Sequence, residues 1–154
     1  MPLGRERTSL IFALARIITE FYKLFIRIES QKSYHIPTQI HFFGKVDNNR
    51  FHRIALALIP AVVYVGIFYL GENLFIFLPH TIKGFFIGLL MGLVTGIGGG
   101  YKDGFFEGFD KIKFLRSPSL TAIGGIIVSF LSDKIIFVML GAIGFERLIV
   151  ELYK

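Results

Sequence analysis

The chain contains no cysteine and no tryptophan. Without thiols it can form no disulfide, thiolate metal site, cysteine nucleophile or iron–sulfur cluster, so nothing marks a redox compartment. Charge is sparse too: 18% of residues are Asp, Glu, Lys or Arg, against about 25% in ordinary globular chains. The four histidines, His35, His41, His52 and His80, include no pair spaced by four, the spacing that would set two imidazoles on one helical face for a metal. No metal and no cofactor are expected. The aspartate signatures of membrane-bound phosphotransferases, prenyl transferases and intramembrane proteases are missing, and Ser, His and Asp fall at no diagnostic spacing. The balance leans away from an enzyme.

What the chain has in quantity is apolar surface. It is 53% hydrophobic with 18 phenylalanines and a mean hydropathy of +0.63, above the 45–50% apolar content of typical soluble domains. These values predict an all-α integral membrane protein, and 154 residues leave room for one compact unit.

Residues 8–29 carry Arg16, Glu20, Lys23 and Arg27 at spacings of four, three and four, with apolar residues almost everywhere else. One polar stripe on an apolar helix predicts an amphipathic helix in the membrane interface, its basic stripe toward headgroups. A secretory signal is the rival, but Arg16 stops the apolar run at the lower limit of an h-region. Residues 30–50 form a polar connector with Pro37 and Gly44, and Asp47 or Asn48 is the expected cap of the next helix. The chain therefore divides into residues 1–50, a helix and connector, and residues 51–154, the transmembrane part.

Four hydrophobic segments follow: Phe51–Leu70, Ile82–Gly100, Ser119–Leu131 and Ile135–Val150. The last two fall short of the 17–25 residues of a full span, so they form a thin or re-entrant hairpin. Ser117-Pro118 is expected to cap and open the third segment. Glu146-Arg147 interrupts the fourth, near enough to the chain end for anchoring at the interface. With the N-terminal region, residues 101–118 and the C-terminus on one side, that side holds 15 Lys and Arg against Lys83 and Lys134 on the other. Basic residues concentrate in cytoplasmic loops, so both termini are expected in the cytoplasm. Membrane placement accounts for the +6 charge without nucleic acid.

Gly84, Gly88, Gly92, Gly96, Gly100, Gly104 and Gly108 recur at every fourth position, and Gly98-Gly99-Gly100 makes a triplet. In lipid, helices associate by close packing, and small residues at spacing four let backbones approach. The expected use is a groove for another helix, from this chain or a second copy. The alternative is an unwound pathway at Gly98, Gly99 and Gly100, as in transporters with broken helices. A faint internal repeat, Thr95-Gly96-Ile97-Gly98-Gly99 against Thr121-Ala122-Ile123-Gly124-Gly125, accords with the duplicated halves of such proteins. The stretch VTGIGGGYKD resembles the glycine-rich segment of bacterial trimeric intracellular cation channels. It covers ten of 154 residues, and no site is carried over from it.

Residues 101–118 hold the densest charge. On one continuous helix, Asp103, Glu107 and Asp110 would share a face. Three carboxylates so placed could hold a divalent cation and, through it, a lipid phosphate. Lys102, Lys111, Lys113 and Arg116 are candidate ligands for anionic headgroups. Two functions result. The first is a small oligomeric membrane module, channel- or transporter-like or a subunit of a larger assembly, with lipid and a second copy or membrane protein as partners. The other is an interface enzyme or binding protein acting on lipid headgroups through the three carboxylates.

Overall fold

The computed structural model describes residues 3–27 and 38–153, with the side chains of residues 3–10, 12 and 153 left out. His35, Pro37 and the rest of residues 30–37 of the polar connector lie outside the described residues. The architecture is all-α: α1 (Leu3–Phe21), α2 (Arg50–Tyr69), α3 (His80–Glu107), α4 (Lys111–Ser129) and α5 (Ile135–Tyr153). A small antiparallel hairpin, β1 (His41–Phe42) and β2 (Lys45–Val46), stands before α2. Its turn uses positive φ at Phe43 and Gly44.

Asn49 caps α2, its Oδ1 accepting from the amides of Phe51 and His52 at 3.1 and 3.4 Å. The expected cap Asp47 instead accepts from the Asn49 amide at 3.0 Å and pairs with His52 Nδ1 at 2.5 Å. Helix α2 continues across Pro60, which leaves the Leu56 carbonyl without its i+4 amide. It ends in a π-helical turn, Leu70–Leu74, and a 3-10 turn, Phe75–Phe77. The hairpin between α4 and α5 meets the start of α3 through His80 Nε2 and the Ser132 carbonyl, 3.1 Å apart. That contact puts the starts of α3 and α5 at one end of the bundle.

Two boundaries differ from expectation. Helix α3 does not stop at the glycine triplet but runs unbroken to Glu107, and Gly108, at φ +84°, ends it. Helix α4 does not open at Ser117-Pro118: Asp110 caps it, accepting from the amides of Ile112 and Lys113 at 2.9 and 3.2 Å. Pro118 falls inside α4, so the third helix begins eight positions earlier than the short apolar run suggests.

The α3–α4 pair is the most extensive contact in the bundle, and glycine makes it. A Cβ on Gly84 would lie 2.5 Å from the Gly125 carbonyl oxygen. On Gly88 it would strike the Thr121 backbone, and on Gly92 the Thr121 hydroxyl and Pro118. At Gly96 it would sit 3.3 Å from the Phe114 oxygen, a carbonyl that Pro118 cannot bond as an ordinary residue would.

Helix α1 packs along α5. Ala13 is fully buried in the core with Ile87, Met91, Val138 and Ile143. Arg16 pairs with Glu146, and further along, the Leu24 and Arg27 carbonyls accept from Arg53 at the start of α2. This order makes α1 run in the same direction as α5. The expected stripe is present but faces inward at Arg16, while Ile11, Leu14 and Ile18 are exposed.

The α2 unit (Arg50–Phe77) and α3 are the two helices long and apolar enough to cross a membrane by length and composition. Only 17% and 33% of their most apolar stretches are buried within the chain.

Candidate functional site

Two adjoining cavities occupy the end of the bundle where α3 finishes and α4 begins. The larger, about 730 Å³, lies between α1, α2, α3 and the hairpin. Its walls are apolar along Ile17, Leu56, Ile59, Val63 and Val94, and polar at Gln39, His41, Lys102 and Asp103. The smaller, about 360 Å³, lies among α3, α4 and α5 and is lined largely by charge. Arg16, Thr95, Gly99 and Asp103 belong to both walls.

The carboxylates anticipated as a cluster part company at Gly108. Asp103 and Glu107 remain on α3 and share one ammonium: Lys113 Nζ stands 3.5 Å from Asp103 and 3.2 Å from Glu107. The hydrogen bond that Lys113 donates to Glu107, and then the charge of Asp103, hold Lys113 above the ordinary lysine value against its desolvation. Asp110 belongs to the next helix as its cap. Among the described residues, no group of three His, Asp or Glu is placed to hold a metal.

The basic candidates disperse. Lys113 and Arg116 line the smaller cavity and Lys102 the larger, whereas Lys111 lines neither. The glycines divide by use. Gly84, Gly88 and Gly92 abut α4, Gly100 faces Phe109 and Phe114, and nothing lies within 4 Å of a Cβ built on Gly98 or Gly99. Gly98 lines the larger cavity, and Gly99 lines both.

The residue that ties the site together lies outside the charged segment. Glu146, 2% exposed, is ion-paired with Arg16 of α1 and accepts from Ser117 Oγ of α4 at 3.1 Å. Its neighbour Arg147 pairs instead with Glu151. Adjacent helical residues point about 100° apart, so one faces the core and the other the surface. An ionisable residue within an apolar run was the available signal for Glu146. Its partner, 130 positions away, left no local trace.

His41 is 2% exposed, lies against Tyr101 and Phe106, and sits with Nε2 3.1 Å from the Lys102 carbonyl. Its Nδ1 is buried without a hydrogen-bond partner among the described residues.

No family model, curated protein or solved structure matches the chain. Function therefore rests on the geometry.

Proposed function

We propose that the chain is an integral membrane module of channel or transporter type, with α2 to α5 as four membrane segments and α1 embedded beside α5. The observation that carries this is an inversion of the usual polarity. Apolar side chains cover the outside, with Phe51, Val62 and Val65 at 86, 69 and 67% exposure, while Arg16 and Glu146 turn toward each other inside. A soluble core helix is mostly buried, whereas α2 is apolar and largely exposed, as a lipid-facing helix must be. Ionisable residues inside such a bundle mark conduction paths and proton relays by default.

The charge distribution supports a cytoplasmic position for the end holding residues 101–116 and the C-terminus. For the N-terminus, the course of α1 along α5 argues for the opposite side from the one the charge count favours. The glycine face meets α4 of the same chain, so a homo-oligomer or a membrane partner would use α2, which has the broadest exposed apolar surface.

The test is reconstitution into liposomes loaded with a pH-sensitive dye. The protein should dissipate an imposed proton gradient faster than protein-free liposomes, and Glu146→Gln should bring the leak back to the protein-free level. The double variant Arg16→Gln/Glu146→Gln, with no charge stranded, should behave the same. No leak above protein-free liposomes from the wild type would remove the transport reading and leave a membrane subunit whose ion pair serves packing.

The lipid-headgroup reading through Asp103, Glu107 and Asp110 ranks second. Asp103 borders both cavities, which favours it. Against it as metal chemistry, Lys113 already neutralises one of the two charges of Asp103 and Glu107, and Asp110, committed to backbone amides, adds no third ligand.

A further inference from the structure

The two cavities have different chemistry and a common wall. Apolar side chains from α1, α2 and α3 line the larger, whose volume of about 730 Å³ lies within the roughly 300–1,000 Å³ of small-molecule sites. The smaller presents charge of both signs with unused capacity. Arg16 and Glu146 satisfy each other. Lys113 is the single cation between Asp103 and Glu107, which leaves one negative charge uncompensated. Arg116, on the same wall, has no ion pair among the described residues. Between the two chambers stands Gly99, with open space where a side chain would project.

We propose that the paired cavities bind a zwitterionic membrane lipid, one acyl chain in the larger chamber and the headgroup in the smaller. The lipid phosphate meets Arg116, and its ammonium meets the carboxylates of Asp103 and Glu107. Gly99 is the passage between chain and head, and its missing side chain is what joins the chambers. Charge complementarity selects this occupant: an anionic lipid leaves the excess carboxylate unanswered, and an uncharged one answers neither that carboxylate nor Arg116. The inference rests on the membrane placement proposed above and adds a ligand class to it.

The test is native mass spectrometry of the detergent-purified full chain incubated with lysophosphatidylethanolamine, lysophosphatidylglycerol or monoacylglycerol of equal chain length. The zwitterionic probe should be retained in preference to the other two. Gly99→Leu should weaken its retention roughly tenfold or more, because the leucine occupies the space the ligand needs, and a Cβ at this position meets nothing within 4 Å. Gly66→Leu, on an exposed face of α2 where a Cβ also meets nothing, should retain lipid as the wild type does. Arg116→Gln should abolish the preference over monoacylglycerol. Equal retention of all three probes, or retention by Gly99→Leu equal to that by the wild type, overturns the proposal. Failure of the membrane placement would show separately, as release of the protein from membranes by alkaline carbonate. A chain that stays in the membrane but selects no lipid overturns the lipid site alone.

Discussion

Arg16 and Glu146 form one ion pair but are not equally buried, since the arginine side chain keeps 26% of its exposure and the glutamate 2%. Removing either partner of a buried pair strands the other, and the cost follows how dry the stranded group is. Arg16→Leu should therefore cost more than Glu146→Leu. It leaves a carboxylate with only the Ser117 hydroxyl, whereas a lone Arg16 can reach the space of either cavity. We expect about 3 kcal/mol for Arg16→Leu and about half that for Glu146→Leu, measured as unfolding free energies in detergent. Equal costs would mean that the glutamate is wetter than its burial implies. Glu146 was legible as a charged residue within an apolar run, but not its role: pairing across 130 positions is a property of helix packing. Lys113 was legible only as a basic residue of the segment, because its bridge to Asp103 and Glu107 depends on the reversal at Gly108.

At the scale of elements, the four-residue glycine repeat announced a close helix contact, and its steric demand is graded along α3. A Cβ at Gly88 or Gly92 would enter the backbone or hydroxyl space of α4, one at Gly96 would sit at a tight 3.3 Å, and one at Gly98 would meet nothing. Gly88→Ala and Gly92→Ala should each destabilise by about 1–3 kcal/mol through overpacking. Gly98→Ala should stabilise by up to about 1 kcal/mol through helix propensity. Thermal unfolding in detergent reads both signs. Because the partner is α4 of the same chain, Gly92→Leu should lower stability at constant stoichiometry, and a change in stoichiometry on size exclusion would move the contact to a second protomer. The start of α4 was misjudged because Ser117-Pro118 is a strong local N-terminal signal, yet Asp110 is a better-placed cap two residues after a helix-ending glycine. Pro118 falls inside α4 where Gly92 of α3 abuts it, a Cβ on that glycine lying 2.4 Å from the Pro118 Cα. The triplet Gly98–Gly100 carries the largest propensity penalty in α3, but the helix continues because its amides and carbonyls have no better partners than one another.

For the whole molecule, the all-α character and the two long apolar helices, α2 and α3, were readable, because composition and period do not depend on who packs against whom. The course of the first helix was not. Its single polar stripe suits an interfacial helix and equally one whose stripe faces a charged interior, and only the partner decides. Helix α1 and the π-helical turn after it hold 19 and 5 residues, about 36 Å at 1.5 Å per residue, enough to match the roughly 30 Å hydrocarbon core. Leu24 stands beside Arg53 at the end where α2 starts, Arg16 beside Glu146, and Ala13 in the core with Val138 and Ile143. Continued at the same rise, Leu3 reaches the end where α3 and α5 begin. Within a bilayer the two termini then lie on opposite sides. The opposing force is Arg5 and Arg7, which resist transfer away from the cytoplasm, whereas holding Arg16 against a buried Glu146 requires α1 to stay beside α5. Because the wild type has no cysteine, single substitutions at Leu3 and Leu152 can be probed with a membrane-impermeant maleimide in intact cells and after permeabilisation. Leu152→Cys should label only after permeabilisation, and Leu3→Cys in intact cells. If both label only after permeabilisation, α1 lies in the cytoplasmic interface as the charge count has it, and the Arg16–Glu146 pair forms at the membrane surface instead of within it.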